Sequence, residues 1–90
     1  MAWKVNATST FSREFKKYKK HKEFVYALDA KIKRLEEDPN LVGSYLSGKL
    51  HGLKATRLLK NFRIVFRINE EEHSVYLEAI DHRKHDYEDF

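Results

Sequence analysis

The sequence predicts an α+β fold: an N-terminal strand, a helix hairpin, then a three-stranded antiparallel meander, with the helices packed on one sheet face. Three observations predict it. Apolar residues recur at helical spacing from Phe11 to Leu35. A lone proline, Pro39, closes that region. From Ala55 onward the period switches to two, which is the spacing of strands.

The elements follow in order. In WKVNA, Trp3 and Val5 alternate with Lys4 and Asn6, a short strand pattern. TSTF then supplies hydroxyls that suit a helix start. Phe11, Phe15 and Tyr18 stand at i, i+4 and i+7, one helical stripe, and read as core. Phe24, Leu28, Ile32 and Leu35 share the face of a second helix, with Val25 alongside. That helix is expected to stop at Glu36-Glu37-Asp38-Pro39-Asn40, because the residue before a proline is pushed out of the helical region. The stretch LVGSYLSGKLHG, from Leu41 to Gly52, reads as an irregular connection bent by its three glycines. ATRLL and FRIVFRI are strands, joined by a tight turn at Lys60-Asn61, where asparagine tolerates positive φ. Asn69-Glu70-Glu71-Glu72 makes the next turn, SVYLEAI is the last strand, and DHRKHDYEDF follows it. In FRIVFRI, Phe62, Ile64, Phe66 and Ile68 fall on one face, and Arg63, Val65 and Arg67 on the other. A sheet with helices on one side only leaves that second face open as a binding surface.

Ninety residues without repeats or linkers read as a single domain, 1–90. The chain is 41% hydrophobic with three glycines and one proline, too apolar for disorder. It has no membrane-length apolar run and no signal-peptide core near its start, so a cytoplasmic protein is expected. Cysteine is absent, which excludes disulfides, thiolate nucleophiles and cysteine zinc sites. The net charge of +4 and a pI near 9.3 favour an anionic partner, nucleic acid or an acidic protein. Lysines 16, 17, 19, 20 and 22 cluster where the first helix ends. They read as a solvated face suited to a helix C-terminus, with a secondary role in steering RNA.

No glycine-rich phosphate loop is present. His82 and His85 are three apart, but no acidic and histidine framework elsewhere supports a metal site, and no cofactor is expected. Arg57, Arg63 and Arg67 lie on consecutive strand-like runs. A guanidinium suits a phosphate under attack; it equally suits surface ion pairs to Glu70, Glu71 or Glu78, a reading that fits Arg67 better than Arg63. His82, His85 and Tyr87 could supply general acid–base chemistry, with a frayed tail as the plain alternative.

The segment LHGLKATRLLKNFRIVFRI, followed by EAIDHRKHDY, resembles the RelE/ParE toxin superfamily of type II toxin–antitoxin systems. The resemblance rests on Leu50-His51-Gly52, Arg57, Phe62-Arg63-Ile64-Val65-Phe66, His82-Arg83 and Tyr87, in that order, and extends over nearly the whole chain. It implies a RelE-like fold. Within the superfamily the residues look most like the RNA-cleaving RelE, YoeB and HigB branch. That branch implies a metal-independent endoribonuclease, an mRNA interferase that blocks translation at the ribosomal A site. The RNA 2′-hydroxyl would attack the adjacent phosphate. Arg63, His82, Arg83, His85 and Tyr87 would then be catalytic, and Lys49, Lys54, Arg57, Lys60, Arg67 and Lys84 would hold the RNA. The implied partners are mRNA and a cognate antitoxin of RelB/YefM type, with operator DNA bound only through the toxin–antitoxin complex. The sequence departs from the YoeB pattern near Ser44, where a glutamate is common, and at Lys60-Asn61, where a glycine is. A non-enzymatic gyrase poison of ParE type, or a relic that only binds its antitoxin, would share the fold.

Overall fold

A computed structural model describes residues 2–48 and 52–82. The elements are β1 (Lys4–Ala7), α1 (Ser9–Phe15), α2 (Lys22–Glu37), a 3-10 turn (Pro39–Leu41), β2 (Ser44–Tyr45), β3 (Lys54–Leu58), β4 (Phe62–Asn69) and β5 (Ser74–His82). The expected order holds. The strands form one mixed sheet of five in the order β1-β5-β4-β3-β2. β1 pairs parallel with β5, and every other neighbour is antiparallel.

Both helices begin at side-chain caps. The Thr8 hydroxyl accepts from the Phe11 amide at 3.2 Å and donates to the Leu77 carbonyl at 3.0 Å, so one residue starts α1 and ties it to β5. His21 Nδ1 accepts from the Phe24 amide at 3.1 Å and caps α2. α1 is shorter than its aromatic stripe: it ends at Phe15, and Tyr18 follows in turns. Tyr18 still packs against the core, as does Phe15. α2 stops where expected, before Pro39, and the Asp38 side chain accepts from the Asn40 amide at 3.1 Å.

The core lies between the helices and one sheet face. Phe11 from α1 and Phe24, Leu28 and Leu35 from α2 meet Leu58, Phe62, Ile64, Phe66, Val75, Leu77 and Ile80 from the sheet. Phe24, Leu35, Ile64, Phe66 and Val75 are fully buried. Burying large apolar side chains stabilises by roughly 1.5–3 kcal/mol each. This layer therefore dominates the stability of so short a chain.

Three local features differ from the expectation. The connection before β3 contains β2, which pairs with β3 through Ser44–Ala55 and Tyr45–Lys54. Gly43 makes that approach possible: it has φ +65°, and a Cβ there would sit 2.3 Å from the Ala55 carbonyl oxygen. The β3–β4 turn spans Leu59, Lys60 and Asn61, and its positive φ of 55° falls on Leu59, not on Asn61. Finally, Val65 pairs with Ala79 while Phe66 pairs with Leu77, so Glu78 is an extra residue in β5. This bulge exchanges the two faces of β5 beyond it. Val75 and Leu77 face the helices; past Glu78, Ile80 does so and Asp81 does not. Among the described residues no helix is long and apolar enough to cross a membrane.

Candidate functional site: an arginine row on the open sheet face

The antiparallel register sets Arg57 of β3 directly across from Arg63 of β4, and Arg63 directly across from Asp81 of β5. These three side chains form a row over three strands on the face turned away from the helices. Arg63 Nη2 bonds Asp81 Oδ2 at 2.9 Å, and both side chains are about one third exposed (31% and 34%). Arg63 Nε is buried and has no hydrogen-bond partner among the described residues. Arg57 is exposed, and no ion pair to it occurs among the described residues.

Like charges set directly opposite in a sheet destabilise it. A buried guanidinium N–H without an acceptor also costs free energy. A multivalent oxyanion bridging the two arginines would relieve both. A phosphate offers that charge and several acceptor oxygens, and arginine binds it in a fixed fork.

Farther along β4, Arg67 is paired. Its Nε lies 3.1 Å from Glu78 Oε2, and its guanidinium carbon lies 4.8 Å from the centre of the Tyr76 ring. The Tyr76 hydroxyl donates to Glu72, and that hydrogen bond is the main reason its pKa lies above the ordinary phenol value. Glu78 was one of the three acids the sequence offered to Arg67. It can reach because the bulge places it there.

Lys54 does not line this face. It is 3% exposed, on the helix side of β3. Its Nζ donates to the Pro39 and Asn40 carbonyls at 3.3 and 3.0 Å and lies 5.0 Å from the Tyr45 ring centre. Burial lowers its pKa, against a smaller upward pull from Asp38. The ammonium therefore ties the 3-10 turn after α2 to the sheet. Lys60 is exposed in the β3–β4 turn, beside the Arg57–Arg63 end of the row.

His82 pairs with Phe62, so it takes the face opposite Arg63. Its ring stacks on Phe62 at 4.6 Å and 11°, with the Tyr18 ring edge-on at 6.1 Å. The structure thus brings Arg57 and Arg63 together and sets His82 one residue beyond Asp81 on the other side of the sheet. Lys49, Arg83, Lys84, His85 and Tyr87 lie outside the described residues. Asp81 was not among the expected site residues. The signal for it was present: the apolar spacing Val75, Leu77, Ile80 breaks the period of two and betrays the bulge. Among the described residues no group of three or more histidine, aspartate or glutamate side chains could hold a metal ion.

Comparison with known proteins agrees with this architecture. A family model described as the ParE toxin of the type II toxin–antitoxin system, parDE, matches residues 5–87. The toxin–antitoxin complex RelBE2 of Mycobacterium tuberculosis contains a chain 26% identical to this one, superposing with a TM-score of 0.75 over 92% of this chain and 93% of that one. A YoeB/ParE toxin from Agrobacterium tumefaciens gives a TM-score of 0.78 at 16% identity, over 88% of this chain and 96% of that one. A double arginine-to-alanine mutant of the Escherichia coli toxin RelE in its free state gives 0.71 at 18% identity, over 97% and 90%. No curated protein sequence matches the chain. With the family model spanning nearly all of it, on a two-helix, five-stranded RelE-like frame, the chain belongs to the ParE toxin family of type II toxin–antitoxin systems, within the RelE/ParE superfamily.

Proposed function

We propose that this toxin is an endoribonuclease that cleaves mRNA without a metal. The reading rests on one observation above the others: Arg57 and Arg63 stand directly opposite each other on the sheet face turned away from the helices, with one carboxylate, Asp81, on Arg63. A pair so placed is unfavourable for folding and favourable for a bridging phosphate. In the proposed reaction the RNA 2′-hydroxyl attacks the adjacent phosphorus. The P–O5′ bond breaks, leaving a 2′,3′-cyclic phosphate and a 5′-hydroxyl. Arg63 meets the charge that builds on the pentavalent phosphate, which is commonly the largest single contribution to such catalysis. Arg57 and Lys60 hold the backbone. Of the histidines, His82 is stacked on Phe62 on the opposite face, so proton transfer falls to His85 and Tyr87, with Arg83 assisting at the phosphate. The message would be cut in the ribosomal A site. The inhibiting partner is a cognate antitoxin, in line with the toxin–antitoxin complexes among the similar structures; the chain's net charge of +4 favours an acidic segment of it on the basic face.

Two observations favour a second reading. The matching family model is that of ParE toxins, and His82 does not stand beside Arg63. A non-enzymatic ParE-type poison of DNA gyrase would need neither the phosphate site nor an acid–base pair. Controlled expression of the chain beside Arg63→Ala and Tyr87→Ala variants separates the two. New RNA 5′-hydroxyl ends within translated codons, lost in Arg63→Ala, support the ribonuclease. Growth arrest with intact messages and rising DNA damage supports the gyrase poison.

A further inference from the structure

We propose that Asp81 is a built-in competitor for the phosphate site, an internal anion that sits on Arg63 until RNA displaces it. The inference rests on the ribonuclease reading above and adds a residue that sets its affinity.

Four facts carry it. Asp81 is the direct cross-strand partner of Arg63, as Arg57 is on the other side, so all three charges share one row. The carboxylate takes only one guanidinium nitrogen, Nη2, at 2.9 Å, and leaves the buried Nε without a partner. A carboxylate that existed to hold the arginine rigidly would serve better in the two-point fork, through Nε and one Nη. Both side chains are also one third exposed, so a solvent-borne anion can reach the pair. Finally, the placement of Asp81 on this face depends on the Glu78 bulge: with an unbroken period of two, it would point toward the helices.

The physical consequence is an exchange. In the free protein Asp81 offsets the repulsion between Arg57 and Arg63. An incoming phosphate brings more charge and more acceptors, takes Nε as well, and turns the carboxylate out to solvent. Part of the phosphate's binding free energy is used to break the internal pair. Asp81 therefore weakens RNA binding while stabilising the unoccupied site. Four residues along β4, Arg67 bonds Glu78 through Nε while standing across from Tyr76, so each arginine that β4 presents on this face carries an acid from β5.

The test is the affinity of the full chain for a single-stranded RNA oligonucleotide that is 2′-O-methylated throughout and so cannot be cut, read by fluorescence anisotropy at low salt. Wild type is compared with Asp81→Asn, Asp81→Ser, Asp81→Glu, Arg57→Ala and Arg63→Ala. Thermal melting of each variant verifies that it is folded. Releasing a partly exposed ion pair should tighten binding about threefold to fivefold in Asp81→Asn and Asp81→Ser, while Asp81→Glu stays near wild type. On cleavable RNA the same gain should appear in KM and not as a fall in kcat. Binding that is unchanged or weaker in Asp81→Asn and Asp81→Ser, with Arg57→Ala and Arg63→Ala both weakened, overturns the competitor role and leaves the phosphate site standing. A fall in kcat at unchanged KM overturns it too, and makes Asp81 a positioning residue. If Arg57→Ala and Arg63→Ala bind as tightly as wild type, the phosphate site itself fails and the inference falls with it.

Discussion

Replacing Arg57 by glutamine should make the protein more stable, although it removes a side chain the proposed function needs. Arg57 and Arg63 stand directly opposite in the β3–β4 ladder. Directly opposed side chains have Cβ atoms about 5 Å apart, and a guanidinium separation of roughly 6 Å is compatible with that spacing. At that distance the repulsion is about 0.7 kcal/mol in bulk water and about 2.8 kcal/mol at an effective dielectric constant near 20. Asp81 lies one strand beyond Arg63, two strand spacings or about 10 Å from Arg57, and offsets roughly half of it. Arg57 is exposed, so the weaker end of the range applies, and a net gain of about 0.3 kcal/mol is expected on neutralisation. For a domain of this length that is about 1–2 °C in Tm. The assay is thermal unfolding by circular dichroism at about 20 mM and about 1 M salt, where the Debye length falls to roughly 3 Å. Lys20→Gln, in the turn after α1, removes the same net charge elsewhere and is the control. Arg57→Gln should melt above both wild type and the control at low salt, and the margin should vanish at high salt. A lower Tm than wild type, or a gain that survives high salt, would refute the stored-repulsion reasoning.

Gly43→Ala should cost at least about 2 kcal/mol by urea unfolding, because positive φ and contact with the Ala55 carbonyl act together. Gly48→Ala, with φ +68° but no neighbour among the described residues within 4 Å of a Cβ, should cost only about 1 kcal/mol, and equal losses would dismiss the close-approach explanation. Lys54 gives a pH signature. Burial lowers its pKa below 10.5 in the folded state, so between the lowered value and 10.5 the unfolded chain binds more protons and stability rises with pH. The unfolding free energy of wild type minus that of Lys54→Met should therefore grow as the pH rises toward 10.5; a flat difference would mean the ammonium is not desolvated.

Much of this fold was legible because its signals are local. The 3.6-residue spacing of Phe24, Leu28 and Leu35 and the twofold alternation of Phe62, Ile64 and Phe66 each report one buried face, and the structure buries those faces. Pro39 ends α2 by sterics that need no tertiary context. What escaped was set at a distance. The parallel pairing of β1 with β5 joins residues some seventy positions apart, as Val5 with Val75, and no local pattern encodes it. β2 is two residues long and exists because Gly43 lets the chain approach Ala55. Leu59 adopts the positive φ of its turn although Asn61 is the better residue for it, so the β3–β4 register overrides local preference. The candidate site divides in the same way. Arg57 and Arg63 could be assigned to one face by counting along the strands. The same counting sets Lys54 on the opposite face, three positions before Arg57; what it could not supply are the carbonyls of Pro39 and Asn40, over ten residues earlier, that hold the buried ammonium. His82 stands on the helix side, and Asp81 came into view, because of one extra residue at Glu78.

The most direct test of the phosphate site is to supply the toxin with ribosomes carrying a synthetic message and to identify the ends it makes. Wild type should leave a 2′,3′-cyclic phosphate and a 5′-hydroxyl within the A-site codon. A single 2′-deoxy substitution at the cleaved nucleotide should abolish the cut, and Arg63→Ala should slow it by at least about 100-fold. An uncut message at toxin concentrations that block gyrase supercoiling, or cleavage by Arg63→Ala at the wild-type rate, would contradict the assignment of the arginine row to RNA cleavage.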